Sequence, residues 1–158
     1  PIHLPTSVIS NNQEESLVRA YLYGLLHKRW TARSEIQFEK FSRAETNSGL
    51  HLIDTLTLPA GIDYFNPNGF FANLTGTFIH QKVARAGKQN NEGTDKTFLV
   101  DASIGYRLPK RRGMVSLEAR NLFDEFFLYR TTNFMTPELV SPRFIPTRTI
   151  FARITLNF

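Results

Sequence analysis

The chain has 158 residues, of which 41% are apolar and 21% charged, and its formal net charge is +5. This length and balance allow one folded domain with a sizeable core and exclude a disordered tail. The absence of cysteine excludes disulfides and thiolate metal sites, and no run approaches the roughly 18 consecutive apolar residues of a membrane-spanning helix.

Apolar and polar residues alternate with a period of two along most of the chain, which predicts β-strands. The pattern is clearest near 30–41, where no helix would separate the two classes so well. The stretch near 17–27 also fits helical spacing, so a helix is the alternative there. Pro59 lacks an amide donor, which predicts a bulge or a weak ladder. The seven predicted strands lie near residues 17–27, 30–41, 51–65, 70–83, 97–108, 114–124 and 149–158.

The connections between these strands alternate in length. Short turns at one end and long polar loops at the other are typical of transmembrane barrels, whose short turns are periplasmic. We therefore expect an all-β fold: an antiparallel meander that forms part of a transmembrane outer-membrane β-barrel. The densest basic clusters fall at short turns, which favours solvated charges and no nucleic-acid partner. The short turns are 28–29, 66–69 and 109–113, and the long loops are 42–50, 85–96 and 125–148.

Aromatic residues recur eight residues apart on one parity of three predicted strands. Eight residues rise about 26 Å along a strand, or roughly 20 Å along the axis of a barrel with strands tilted near 40°. This is close to the apolar band of an outer-membrane barrel with an aromatic girdle at each interface, so we expect the lipid bilayer as a partner. The alternative is the core of a soluble β-sandwich. The predicted girdle residues are Trp30, Phe38, Tyr64, Phe70, Phe78, Phe98, Tyr106 and Phe123.

The opposite parity carries charged residues of both signs, so cross-strand pairs can satisfy them. In a membrane barrel these side chains line the lumen, whereas in a soluble barrel they form the wet outer surface. Girdle spacing and loop sorting favour the lumen. The predicted lumen-facing residues are Arg19, Arg33, Glu35, Glu39, Asp101, Arg107, Glu118, Arg120 and Arg153.

Two stretches resemble the carboxy-terminal end of TonB-dependent receptors, which import scarce nutrients such as siderophores across the outer membrane of Gram-negative bacteria. Residues 117–124 (LEARNLFD) are similar to the penultimate strand of that family, and the terminal strand near 149–158 is similar to the last one. Pro146-Thr147-Arg148 stands where the family commonly has Pro-Gly-Arg. The resemblance is specific over about the last 60 residues and is one of pattern elsewhere.

In that family a barrel of 22 strands is filled by an amino-terminal plug domain. Nothing in residues 1–158 resembles a plug or a TonB-binding segment, so the resemblance implies the carboxy-terminal portion of a barrel. Its implied partners are the remainder of the barrel, the plug domain and, only through that plug, TonB. An odd number of strands agrees with a fragment, because complete bacterial barrels usually have an even number.

The resemblance also assigns roles to the terminal strand and to the longest loop. The alternate residues that end the terminal strand match the signal read by the outer-membrane assembly machinery. The loop 125–148 is expected to contribute to binding of a ligand or partner outside the cell. The expected assembly-signal residues are Ile154, Leu156 and Phe158, and the expected loop residues are Arg130, Asn133, Phe134 and Arg143.

The sequence carries no recognisable catalytic or cofactor-binding motif, so we expect neither an enzyme nor a bound cofactor. His3, His27, His51 and His80 are far apart and show no paired metal-ligand spacing. Two other functions fit the same pattern. The chain could be the barrel of another outer-membrane channel or export protein, or a soluble β-barrel that binds an apolar ligand with its aromatic residues turned inward.

Overall fold

The computed structural model describes residues 13–43, 49–86, 92–126 and 147–157. These residues form one antiparallel sheet of seven strands, and each strand pairs with the next one along the chain. The predicted all-β antiparallel meander is confirmed. The strands are β1 (Gln13–His27), β2 (Trp30–Arg43), β3 (Gly49–Phe65), β4 (Phe70–Ala86), β5 (Glu92–Leu108), β6 (Gly113–Arg120) and β7 (Thr149–Leu156).

The strands β1 to β5 are long, with 14 to 17 residues each. The helical alternative for the first segment is wrong, since β1 pairs with β2 along its whole length. The predicted strands were too short at their loop ends because residues such as Glu92 and Thr94 break the apolar alternation while still pairing with β4. Strand β6 is shorter than predicted and ends at Arg120.

The register of the sheet is regular apart from two shifts, one between Leu25 and His27 and one between Leu50 and Leu52. At Pro59 the β2–β3 ladder is interrupted, because its pairs skip two positions, while the β3–β4 ladder continues through the Pro59–Thr77 pair. The missing amide of Pro59 therefore weakens the ladder on its β2 side, as predicted, and the register is kept without a bulge.

The short turns are held by local hydrogen bonds. In the turn after β3, the backbone N–H of Asn68 donates to the side-chain oxygen of Asn66 at 3.1 Å, and Gly69 has a φ of 100° that favours glycine. The turn after β5 is a short 3₁₀ segment in which Lys110 and Arg111 both have a φ of 59°. The backbone N–H of Asn157, just after β7, donates to the Arg112 carbonyl at 3.0 Å, so the end of β7 braces this turn.

Few side chains of the described residues are buried, and most large apolar ones are exposed on the sheet. Phe41, Ile53, Thr55 and Gln81 are the most shielded, and they lie together at the loop ends of β2, β3 and β4. The amide of Gln81 donates to the Thr55 hydroxyl at 2.9 Å, so this polar pair is satisfied. Within the described ranges there is no helix long and apolar enough to span a membrane.

Candidate functional site

The strand register places seven of the eight predicted girdle residues on one side of the sheet, which we call the aromatic face. Phe78 lies directly opposite Phe98, and Phe70 lies directly opposite Tyr106. Direct partners in an antiparallel sheet lie on the same face, and along each strand every second residue lies on that face too. The aromatic-face members are Trp30, Phe38, Tyr64, Phe70, Phe78, Phe98 and Tyr106.

At the short-turn end, the aromatic residues of neighbouring strands form a continuous row. The ring centroids of Trp30 and Tyr64 are 4.7 Å apart, and those of Tyr64 and Phe70 are 6.2 Å apart. Phe70 in turn pairs with Tyr106 on β5. The side-chain amide of Asn66 donates to the Tyr64 hydroxyl at 3.1 Å, so the polar end of this ring points towards the turn. The row has an apolar body and a polar rim, as expected of rings at a boundary between apolar and aqueous surroundings.

Between its aromatic rows the aromatic face is apolar apart from Ser34 on β2, and the described residues leave it uncovered. Leu22 on β1 and Ile154 on β7 have exposed fractions of 73% and 67%, and Leu74 in the middle of the sheet has 53%. A monomeric soluble protein rarely exposes a continuous apolar surface that crosses a whole sheet. Nothing in the described part of the chain covers this face.

The edge of this apolar surface nearest the long loops, its loop-end edge, runs obliquely across the rows of directly paired residues in the sheet. On β2 the last apolar residue is Phe38, and on β7 it is Ile150. Following the register back from Ile150 through each pair leads to Ala32, six residues nearer the short turns than Phe38. Six residues over five strand steps, at ~3.3 Å per residue and ~4.8 Å between strands, correspond to a band tilted roughly 40° to the rows.

The edge nearest the short turns is inclined in the same direction. Trp30 on β2 is in the row of Ile104 on β5, whereas Leu156 on β7 is in the row of Leu108, four residues further along. Both edges of the band therefore incline the same way. Strands of outer-membrane barrels tilt by ~35–45° from the barrel axis, so a band perpendicular to that axis would cross the rows at such an angle.

Phe123, the eighth predicted girdle residue, does not lie on a strand. It follows the end of β6 in a turn and is 66% exposed. The turn is built by Asn121 and Asp124, whose φ values of 47° and 58° lie in the left-handed region that Asn and Asp tolerate best among residues with a side chain. The alternation through Val115 and Ala119 continues into Phe123 in the sequence, which is why a strand was predicted.

Asn121 and Asp124 also fix the segments on either side of the long loop. The amide of Asn121, a residue only 3% exposed, donates to the Glu125 carbonyl and accepts from the Glu125 N–H, both at 2.9 Å. A carboxylate oxygen of Asp124 accepts from the Arg148 N–H at 2.8 Å, one residue before β7. The residues Asn121-Leu122-Phe123-Asp124 therefore act as a clasp between β6 and β7, a role that the sequence pattern did not reveal.

The nine predicted lumen-facing residues share the side opposite the aromatic face, which we call the charged face. Arg19 makes a bidentate ion pair with Glu35 on the neighbouring strand, with its second contact at 2.9 Å. The Gln37 amide donates to Glu39. A carboxylate oxygen of Asp101 accepts the backbone N–H of Asn121 at 2.9 Å and so supports the clasp.

Arg33 reaches across a whole strand on the charged face. Its guanidinium passes over Gly61 of β3 and donates to the Thr75 hydroxyl of β4 at 2.9 Å. A Cβ atom at Gly61 would lie 2.8 Å from Arg33 Nε, so the absence of a side chain there opens this path. Asp63 accepts from the Thr31 hydroxyl at 3.2 Å, which extends the polar network towards the short turns.

The other charged-face arginines pack against aromatic rings. The Arg107 guanidinium lies 5.8 Å from the Phe65 ring centroid and 5.9 Å from that of Phe71. Arg120 and Arg153 approach the Phe151 ring at 5.3 and 6.0 Å. These distances are within the range of cation–π attraction. Arg153 also lies 3.7 Å from a carboxylate oxygen of Glu118, the last of the nine residues.

Three aromatic-face residues that the sequence reasoning missed are Lys40, Lys82 and Lys96. Each lies just beyond an aromatic residue at the loop end: two residues after Phe38, four after Phe78, and two before Phe98. The register places them on the aromatic face of β2, β4 and β5, and all three are exposed. The signal that could have found them is the same parity that identified the aromatic residues, followed past the end of the apolar band.

The remaining predicted sites are only partly described. Ile154 and Leu156 are exposed on the aromatic face of β7. Among the side chains that the structure places, no group of three His, Asp or Glu residues could hold a metal ion. Phe158 and the predicted loop residues lie outside the described part of the chain, and these loop residues are Arg130, Asn133, Phe134 and Arg143.

Comparisons of the chain with protein-family models, with curated proteins and with solved structures give no match.

Proposed function

We propose that the chain is part of the transmembrane β-barrel of an outer-membrane receptor for TonB-dependent nutrient uptake. In this proposal the aromatic face contacts lipid and the charged face lines the lumen. The short turns lie in the periplasm, and the long loops face the outside. The observation that carries the membrane part is the oblique apolar band, bounded by aromatic rows, on one face of a single meander.

Basic residues flank this band at both edges. On β2 the apolar stretch is preceded by Arg29 in the short turn and followed by Lys40 on the aromatic face. Eleven residues rise about 36 Å along a strand, or about 28 Å along the axis at a tilt near 40°. This height is close to the apolar band of an outer-membrane barrel, ~25 Å, flanked by its headgroup regions. The charges therefore fall where lipid headgroups would meet them.

The arrangement of the charged face agrees with a lumen. The nine predicted lumen-facing residues are satisfied within the described part of the sheet by ion pairs, hydrogen bonds and ring contacts, as groups near a narrow aqueous path should be. The long strands β3 to β5, with 17 residues each, exceed the 9–11 residues needed to cross a bilayer, so they extend beyond it.

The receptor part of the proposal is supported by the resemblance of 117–124 and of the terminal strand to TonB-dependent receptors. The clasp explains what the residues at the end of 117–124 do physically. Asn121 and Asp124 hold together β6, the base of the long loop and the start of β7. Such a connection anchors a long loop above a barrel wall. Loops positioned by a rigid scaffold are common sites of ligand binding.

The membrane placement is tested with nitroxide labels on β5, which is straightforward because the chain has no cysteine. Single cysteines are introduced in turn at Val100, Asp101, Ala102 and Ser103, and the labelled chains are reconstituted in lipid bilayers. We expect labels at Val100 and Ala102 to collide more with oxygen, and labels at Asp101 and Ser103 more with a hydrophilic nickel chelate. The alternating pattern identifies a lipid face and a water face.

Two outcomes would contradict the membrane placement. If labels at Val100 and Ala102 are shielded from both reagents, the aromatic residues form the core of a soluble barrel. If the purified chain remains monodisperse without detergent, the aromatic face is not facing lipid. Both outcomes favour a soluble protein that binds an apolar ligand.

The receptor assignment is tested separately on the full-length gene. We expect the coding sequence upstream of Pro1 to specify the first part of the barrel and a plug domain. We also expect uptake of the nutrient by cells to require both this gene and TonB. Helical repeats upstream would instead indicate an export protein, and uptake independent of TonB would indicate a passive channel.

A further inference from the structure

Within the strands, the placed lysine and arginine side chains are sorted by face. The arginines Arg19, Arg33, Arg107, Arg120 and Arg153 all lie on the charged face, whereas the lysines lie on the aromatic face. We call Lys40, Lys82 and Lys96 the lysine belt. The two residue types differ physically, since arginine forms rigid multidentate contacts and lysine carries a compact charge on a flexible stem.

The two sets also differ in their partners. Each of the five arginines contacts a carboxylate, a hydroxyl or an aromatic ring of the sheet. Within the residues that the structure describes, no hydrogen bond or ion pair engages the three belt lysines. This holds even though Asp54 lies directly opposite both Lys40 and Lys82 in the register. The Oδ1 atom of Asp54 is shielded and has no hydrogen-bond partner among the described residues. The ammonium groups are therefore available to a partner outside the sheet.

We propose that the lysine belt binds the phosphate groups of anionic lipid headgroups at the loop-end boundary of the membrane. The inference rests on the membrane placement proposed above and adds a lipid preference to it. Lys40 and Lys82 flank Asp54 in one row, and Lys96 pairs with His80 in the next, so the belt spans four adjacent strands. The three lysines and Asp54 together carry three positive charges and one negative charge. His80 also lies in this region, and its Nε2 atom is shielded and unpartnered among the described residues.

The position of the belt suits a headgroup and not a lipid tail. Phe38 lies two residues from Lys40 on the same face, on the side of the short turns. Phe78 and Phe98 pair at a similar distance from the short turns. A lysine just beyond an aromatic row can lay its aliphatic stem along the rings and extend its ammonium group into the headgroup layer. One lysine near an anionic membrane surface strengthens membrane binding by about a factor of five.

The test uses a single tryptophan close to the belt, introduced as Phe78→Trp in a Trp30→Phe background. The chain is reconstituted in phosphatidylcholine bilayers that contain brominated phosphatidylglycerol or brominated phosphatidylcholine as the quenching lipid. We expect brominated phosphatidylglycerol to associate about five-fold more strongly at this tryptophan, the effect of one lysine–headgroup contact. Replacing Lys40, Lys82 and Lys96 together by Gln should reduce that ratio to about one.

A charge-matched control replaces Lys110, Arg111 and Arg112 by Gln at the opposite edge of the band, and this variant should keep the preference. Equal quenching by both lipids in the unmodified belt would overturn the inference while leaving the membrane placement intact. Quenching by neither lipid would instead refute the placement itself. Loss of the preference when free phosphate replaces chloride at equal ionic strength would also overturn the inference, because the belt would then be a site for phosphate in solution.

Discussion

At the scale of single residues, the sheet depends on close approaches that only glycine allows. Gly105 of β5 is buried on the charged face, beneath the ring of Phe71. A Cβ atom there would overlap that ring and lie 2.7 Å from the Val115 carbonyl oxygen of β6. The ring can rotate away, but the backbone oxygen cannot move without separating the two strands.

We therefore predict that Gly105→Ala lowers the free energy of unfolding by about 2 kcal/mol, the cost typical of overpacking. The measurement is urea unfolding of the chain in detergent micelles, followed by the emission of Trp30, the single tryptophan. Gly24→Ala is the control, because a Cβ atom there meets nothing within 4 Å. Its effect should stay within about 0.5 kcal/mol. Equal effects of the two substitutions would show that the β5–β6 contact is looser than described.

At the scale of elements, the clasp after β6 combines backbone conformation with hydrogen bonding. Asn121 serves both purposes: it adopts a φ of 47°, and its side chain exchanges two hydrogen bonds with the backbone of Glu125. Asn121→Ala should destabilise the chain by about 2–3 kcal/mol through loss of the hydrogen bonds and the strain of the left-handed region. Asn121→Gly removes only the hydrogen bonds, so it should cost about 1 kcal/mol less. The same unfolding measurement ranks the two variants, and the reverse order would refute this role for the backbone conformation.

Asp124 makes the contact between the clasp and the start of β7. Its carboxylate accepts the Arg148 N–H at 2.8 Å, so this amide should exchange slowly with deuterated water. Asp124→Ala should accelerate exchange of the Arg148 amide, whereas Asp124→Asn should preserve most of the protection because Asn keeps an acceptor oxygen and tolerates the φ of 58°. Unchanged exchange in Asp124→Ala would mean that another group protects this amide.

At the scale of the whole molecule, strand parity and loop sorting were sufficient to predict the meander, because side chains alternate wherever a strand has two different faces. The clasp could not be predicted in the same way. Phe123 continues the alternation of β6, and only the conformations of Asn121 and Asp124 show that the strand has ended. The partners of Arg33 were also hidden, since its contact with Thr75 crosses β3 and depends on the register of two ladders.

The lysine belt escaped the sequence reasoning for a different reason. The predicted strands 30–41 and 70–83 contain Lys40 and Lys82, but on the parity of the aromatic residues only apolar side chains were considered. Lys96 lay outside the predicted strand 97–108, whereas β5 begins at Glu92. Lys82 illustrates the point, because it keeps the parity of Phe78 and changes only the polarity of the face. The boundary between apolar and basic residues on one face is therefore as informative as the apolar band itself, and it can be located by a depth measurement.

Trp30 allows the same kind of depth measurement at the opposite edge, since it lies on the aromatic face at the short-turn edge of the band. In bilayers we predict stronger quenching of Trp30 by lipids brominated near the headgroup than by lipids brominated at the chain end, because aromatic girdles lie at the interface. The control moves the indole to the charged face by combining Trp30→Phe with Thr31→Trp, which should lose most of the quenching by either lipid. Stronger quenching from the chain end would place Trp30 at the bilayer centre and contradict the band described above. Equal quenching of both tryptophans would contradict the assignment of one face to lipid and the other to the lumen.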